Sequence, residues 1–294
     1  MKPSPLSVWV MAVRPKTLPA SMAPVVMGTV MAFGDGLQDF QSAGVALITA
    51  ILLQIGTNFA NDYFDFRKGV DTSERIGPQR VTSSGFVTPK TMLNAVIFVF
   101  GLAIISSIWL ILRAGWPIAV IALLAVLSGI FYTAGPRPIG YMGLGEIFVL
   151  IFFGPVAVAG TYYVQSFEIN LAVIIAGLGC GFLSTAILVV NNLRDIRTDR
   201  ISDKKTLAVR FGRRFAQCEY LLLVVLASLT PVAVYGIMHD RIGVLWAVLV
   251  LIFAVPAVQI VYSKKDGPSL NRILHYTGFL LVIYTLLFCV GWML

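Results

Sequence analysis

Two short stretches of this chain carry carboxylates and amides at helical spacing. Asn58, Asn61, Asp62 and Asp65 fall at i, i+3, i+4 and i+7 within NFANDYFDFRKGVD, and Asp71 follows beyond Gly69. Asn191, Asp195 and Asp199 fall at i, i+4 and i+8 within NNLRDIRTDR, with Asn192 beside the first. On a helix these spacings align each set along one face. Neither set contains His or Cys, and an all-oxygen set suits a hard cation, magnesium or manganese. Basic residues accompany both: Arg67 and Lys68 after the first, Arg194 and Arg197 within the second, Lys204 and Lys205 beyond it. Acid to hold a divalent metal, beside base to neutralise phosphate oxygens, is the composition of a diphosphate site. Two such stripes facing each other would grip a diphosphate through metal ions.

The elements that must position these stripes are apolar. The chain has 294 residues, 58% hydrophobic and 12% charged, against roughly 25% charged in ordinary soluble proteins. Nine apolar runs read as spanning helices: 17–33, 42–64, 92–112, 116–133, 146–164, 169–193, 217–238, 243–261 and 273–293. Each stripe lies at the end of one of them. A carboxylate at the centre of a spanning helix costs about 2.5–3.5 kcal/mol, so phased acids there point to a site rather than to interfacial salt bridges. The reading is an all-α, polytopic membrane protein of one domain, with nine transmembrane helices around a central cavity. No cleavable leader is expected, because the first apolar run is already of span length.

The net charge of +8 does not indicate nucleic acid, because Lys and Arg concentrate in alternate loops. Between those loops stand only Arg113 and Arg241. Positive residues stay cytoplasmic, which places the N-terminus and both stripes at the cytoplasmic face. Cys180, Cys218 and Cys289 are scattered, and His239 and His275 are isolated, so neither a disulfide framework nor a zinc site is indicated. Asp35, Asp39, Glu168, Asp240 and Asp266 read as solvated loop acids. Two long basic loops are expected, at 58–90 and 191–216. In the first, Thr88 caps a helix with Pro89 at its first position. In the second, KKTLAVRFGRRFAQ reads as an amphipathic segment on the membrane surface. Arg137 stands in a rigid Pro-Arg-Pro setting within YTAGPRPIGYMGLGE, on the same side as the stripes. Tyr63, Tyr132, Tyr141 and Tyr162 could present aromatic faces to a cation, with core packing the competing role; Tyr132 joins Arg137 as a catalytic candidate.

At these residues the sequence resembles the UbiA superfamily of intramembrane aromatic prenyltransferases. The resemblance rests on Asn61-Asp62-x-x-Asp65 and Asp195-x-x-x-Asp199, on the second and sixth helices. The third acid of the superfamily commonly follows four residues after the first motif; here Asp71 stands six after Asp65. That longer form, with RPKTLPAS, GPRPIGYMGLGE and NNLRDIRTDRISDKKTLAVRFG, is similar to the branch of 1,4-dihydroxy-2-naphthoate polyprenyltransferases of menaquinone synthesis (MenA). The resemblance implies a nine-helix bundle open sideways to membrane lipids, in a bacterial cytoplasmic (inner) membrane. It implies Asp62, Asp65, Asp71, Asp195 and Asp199 as metal-binding acids for Mg2+ (or Mn2+). It also implies transfer of a polyprenyl group from polyprenyl diphosphate to 1,4-dihydroxy-2-naphthoate, whose carboxylate leaves as carbon dioxide. The neighbouring alternative is 4-hydroxybenzoate as acceptor. A cation transporter would carry its acids near the bilayer midplane at broken helices, not at one face beside basic loops.

Overall fold

The computed structural model describes residues 3–70, 77 and 79–294. Among them every regular element is helical: α1 Pro5–Val13, α2 Leu18–Gly34, α3 Phe40–Arg67, α4 Pro89–Ala114, α5 Trp116–Phe131, α6 Gly145–Phe152, α7 Pro155–Ser166, α8 Leu171–Ile201, α9 Leu207–Met238, α10 Val250–Ser263 and α11 Gly267–Met293. Apolar runs of this length become helices because a backbone in lipid must satisfy its own hydrogen bonds. The ends are capped by side chains. Asp39 accepts from the backbone N–H groups of Gln41 and Ser42, both at 3.1 Å. Asn170 accepts from Val173 at 2.9 Å, Thr206 from Val209 at 3.3 Å, and Asp266 from Ser269 at 2.8 Å. Thr88 caps α4 directly, accepting from Thr91 at 3.2 Å, so Pro89 opens a spanning helix rather than a short loop helix.

Among the described residues, eight helical segments are long and apolar enough to cross a membrane, and the chain is an integral membrane protein. The ninth apolar run forms α5, 16 residues long, or about 24 Å at 1.5 Å per residue, against a hydrocarbon core of about 30 Å. Two helices outrun their apolar segments. Helix α3 continues to Arg67 and α8 to Ile201, because their polar residues turn toward the interior of the bundle rather than toward lipid. The second long loop therefore shrinks to 202–206, and most of the expected surface segment joins α9. Gly212, with φ 84° and ψ 177°, breaks that helix after its first turn.

Helix α8 is the axis of the bundle, packed against α2, α6, α7, α9 and α11. Close approach is possible because small residues face the neighbours. A Cβ at Gly181 would lie 2.5 Å from the Leu150 carbonyl oxygen, and one at Gly177 would lie 2.7 Å from Pro155 Cα. In the loop joining α2 to α3, the two expected solvated acids prove to be partnered. Asp39 pairs with Arg113 at 2.6 Å and Asp35 with Arg241 at 3.0 Å, and Tyr162 donates to Asp35 at 2.8 Å. The two arginines that interrupt the loop-charge alternation are thus neutralised where they stand. Glu168 and Asp240 are exposed.

The close approach of the α6–α7 segment to α8 makes a direct prediction. Gly181→Val should lower the apparent Tm of detergent-solubilised protein by several degrees, since overpacking costs about 1–3 kcal/mol. Gly101, with open space where a Cβ would stand, should accept Ala with no loss, or with a gain approaching ~1 kcal/mol. Equal Tm shifts in the two variants would contradict this packing.

Candidate active site

The stripes of α3 and α8 meet in one cavity of about 970 Å³. Its polar part is lined by Asn58, Asn61 and Asp65 from α3, and by Asn191, Asn192, Arg194, Asp195 and Asp199 from α8. Arg14, Lys16, Arg80, Tyr132, Tyr141, Lys204, Asn271 and His275 complete that part. The remaining wall is apolar, with Val25, Ala46, Leu110, Ile118, Phe148 and Phe152 among its residues. A polar head joined to an apolar lumen of this size suits an amphiphile.

On α3 the stripe divides. Asp65, almost wholly buried, accepts from Arg80 Nη2 at 2.7 Å and from the Tyr141 hydroxyl at 3.0 Å, with Lys204 Nζ at 3.7 Å. Asn61 Oδ1 accepts from the Thr133 hydroxyl at 3.0 Å. The Asn58 amide donates to the Val13 carbonyl at 2.9 Å and to Thr17 Oγ1 at 3.2 Å, tying α3 to the turn after α1. Asp62 departs from the expected alignment. Its carboxylate accepts from the backbone N–H groups of Val81 and Thr82, at 3.1 and 3.0 Å, and it does not line the cavity. It secures the loop that delivers Arg80 to Asp65. Asp71 lies outside the described residues.

On α8 the stripe is a network. Arg194 Nε and Nη2 reach the two oxygens of Asp195 at 2.7 and 2.5 Å, while Nη2 also reaches Asn191 Oδ1 at 2.8 Å. Arg194 Nη1 reaches Asn271 Oδ1 on α11 at 2.5 Å. Asn192 donates to Glu146 Oε1 at 2.7 Å. Asp199 is buried on the same wall.

The basic candidates separate in space. Lys204 faces the cavity, 4.8 Å from the centre of the Tyr141 ring. Lys68 lies 4.5 Å from that same centre and donates to the Thr133 carbonyl at 2.7 Å. Burial lowers the pKa of its ammonium; Asp65 opposes that shift and Lys204 adds to it. Arg67 and Arg197 are exposed and outside the cavity wall. Arg137, Lys68 and Lys205 line a second, outer cleft of about 660 Å³. Tyr132 is held by the glycines of GPRPIGYMGLGE: a Cβ at Gly140 would lie 3.0 Å from its ring, and one at Gly145 would lie 2.9 Å from its hydroxyl.

Sequence reasoning missed Arg80, Glu146, Asn271 and the Lys16–His275 contact at 3.3 Å. Glu146 carried a readable signal, an acid opening an apolar run. His275, expected to be incidental, stands on the cavity wall. The cavity-facing donors Asn61, Asp65, Asn191, Asp195 and Asp199 are all oxygen and fit a magnesium ion. Among the described residues, however, no three His, Cys, Asp or Glu side chains form a cluster that could hold a metal ion, and Asp65 and Asp195 are each paired with a guanidinium group.

The UbiA prenyltransferase family signature matches residues 21–283. The chain belongs to the UbiA prenyltransferase family. Its relatives include proteins named 1,4-dihydroxy-2-naphthoate octaprenyltransferase. One, from Escherichia coli (strain K12), is 38% identical and aligns over 96% of this chain and 94% of its own. Another, from Mycobacterium tuberculosis, is 39% identical over 95% and 94%. A solved UbiA homolog from Archaeoglobus fulgidus, bound to GPP and Mg2+, shares the fold with a TM-score of 0.71 at 17% identity, over 98% of this chain and 99% of that one.

For this UbiA-family site, Asp65→Asn and Asp195→Asn should each lower prenyl transfer by ~100-fold or more, since each removes charge placed where charge develops. Asp240→Asn, on the surface, should match wild type. Asp62→Asn should lose activity and also speed limited proteolysis near Arg80, as one of the two side-chain oxygens that accept from the Val81 and Thr82 N–H groups is lost. Wild-type rates in the Asp65 and Asp195 variants would refute the site.

Proposed function

We propose that this protein transfers a polyprenyl group from its diphosphate to 1,4-dihydroxy-2-naphthoate, with loss of carbon dioxide, forming the quinol of demethylmenaquinone. The observation that carries the reading is the single cavity, in which two oxygen-donor stripes and several cations adjoin an apolar lumen at helix depth. The naphthoate acceptor follows the names of the relatives.

The chemistry follows from charge and exclusion of water. Asp65, Asp195 and Asp199, with Asn61 and Asn191, would hold magnesium, which would supply positive charge to the diphosphate. Arg80, Arg194 and Lys204 take the phosphate oxygens that remain, and Asp62 holds Arg80's loop. Asp71 is a further acid for the same charge. The carbon–oxygen bond of the prenyl diphosphate breaks, and its electron pair leaves with the diphosphate. Phe148, Phe152 and the aliphatic wall keep water from the allylic cation, and the face of Tyr132 stabilises it. The ring carbon bearing the carboxylate bonds to the prenyl carbon, and the bond to that carboxylate breaks to release carbon dioxide.

The proposed setting is a bacterial inner membrane, with α5 as a ninth crossing, the N-terminus inside and the site at the cytoplasmic face. The loop charges support that orientation.

Protein reconstituted with a long-chain prenyl diphosphate, magnesium and carboxyl-labelled 1,4-dihydroxy-2-naphthoate should release labelled carbon dioxide and form the prenylated quinol. EDTA should abolish both. Product from 4-hydroxybenzoate in place of the naphthoate would move the chain to the other acceptor. Full turnover after verified metal removal would remove the diphosphate–metal mechanism.

A further inference from the structure

The outer cleft, of about 660 Å³, has a chemistry distinct from that of the inner cavity. Among the described residues, four cations line it, Lys68, Arg137, Lys205 and Arg210, against one acid, Asp203. Asp203 is 87% exposed and 3.8 Å from Lys205 Nζ, so it offsets little of that charge. The wall is braced by backbone contacts. Arg210 donates to the carbonyls of Lys205 and Met142, at 2.9 and 2.7 Å, and the Lys205 N–H donates to the Tyr141 carbonyl at 2.9 Å. A guanidinium carries five N–H donors, so Arg210 keeps some for a ligand. Arg137 is exposed between two prolines and makes no hydrogen bond or ion pair among the described residues. Lys68 and Lys204 hold two ammonium groups over one Tyr141 ring, at 4.5 and 4.8 Å. Lys204 belongs to the inner cavity, where Asp65 lies 3.7 Å from its Nζ; the cations of the cleft itself have, among its described lining residues, only the exposed Asp203 as an acid.

We propose that this cleft is a second anion site, one that takes a phosphate or diphosphate group without metal. Among the described residues, the lining carries one carboxylate, Asp203, against four cations, a balance that matches an anion carrying several charges rather than a divalent ion. Tyr141 and Ser202 belong to both linings, so the cleft adjoins the inner cavity where its acids and cations meet. Its role in the reaction, receiving the diphosphate that prenyl transfer releases, rests on the function proposed above; the site itself does not.

The test is equilibrium binding of labelled inorganic diphosphate to the full-length, detergent-solubilised protein in EDTA. Wild type should bind saturably, and the double variant Arg137→Ala/Lys205→Ala should bind at least tenfold more weakly. Arg137→Lys/Lys205→Arg should retain most of the affinity, which separates lost charge from lost folding. The same titration in phosphatidylcholine nanodiscs, with and without phosphatidylglycerol, identifies the source of the phosphate. Competition by the anionic lipid assigns the site to a headgroup, and its absence assigns it to free diphosphate. No metal-free binding in detergent, or equal affinity in wild type and the alanine variant, overturns the proposal. Prenyl transfer measured on the same preparation separates the two readings. Charge-dependent binding without turnover keeps the site and removes only its place in the reaction.

Discussion

A carboxylate buried in a lipid-embedded bundle must be neutralised, and the polar half of this protein is arranged around that requirement. Asp65 and Asp195, on different helices, are each paired with an arginine at 2.7 Å or less. Removing one partner of such a buried pair costs about 3–5 kcal/mol, because the other charge is then left uncompensated. Each pair therefore fixes more than itself. Arg80 brings its loop down onto α3, where Asp62 pins the next two backbone amides. Arg194 reaches across to Asn271 and joins α8 to α11. Charges that a divalent ion and a diphosphate would share are held meanwhile by the protein's own cations.

The apolar half is set by how closely helices approach α8. Gly177 and Gly181 let the broken α6–α7 segment lie against it, and Phe148, Phe152 and Val156 of that segment wall the lumen. Two requirements thus meet in α8: small residues along its apolar length, oxygen donors at its C-terminal end. The glycines that clamp Tyr132 work in the same way, because the loop after α5 can reach the ring only where no side chain intervenes.

Much of this was legible in the sequence. The nine apolar runs all became helices, and both stripes lie on helices whose polar faces meet. Asp62 was misplaced by the width of the first stripe. At about 100° per residue, Asn61 and Asp62 stand at opposite edges of it, so only one edge faces the cavity and the other meets the loop at 81–82. The length of α8 was underestimated because hydropathy marks lipid-facing residues, whereas Asp195 and Asp199 continue the helix by facing inward. Pairings such as Asp39–Arg113, Lys16–His275 and Arg80–Asp65 join positions far apart or across a loop, and no local spacing encodes them.

The central claim is that acids on α3 and α8 serve one ligand. A double-mutant cycle on magnesium-dependent prenyl diphosphate affinity tests it most directly, using Asp65→Asn, Asp195→Asn and the two combined. Residues that hold one ligand together are strongly non-additive. The account predicts that either single variant removes nearly all magnesium-dependent affinity and that the double variant binds no worse than the weaker single. Additive losses in the double variant would mean that the two stripes act independently, and would contradict it.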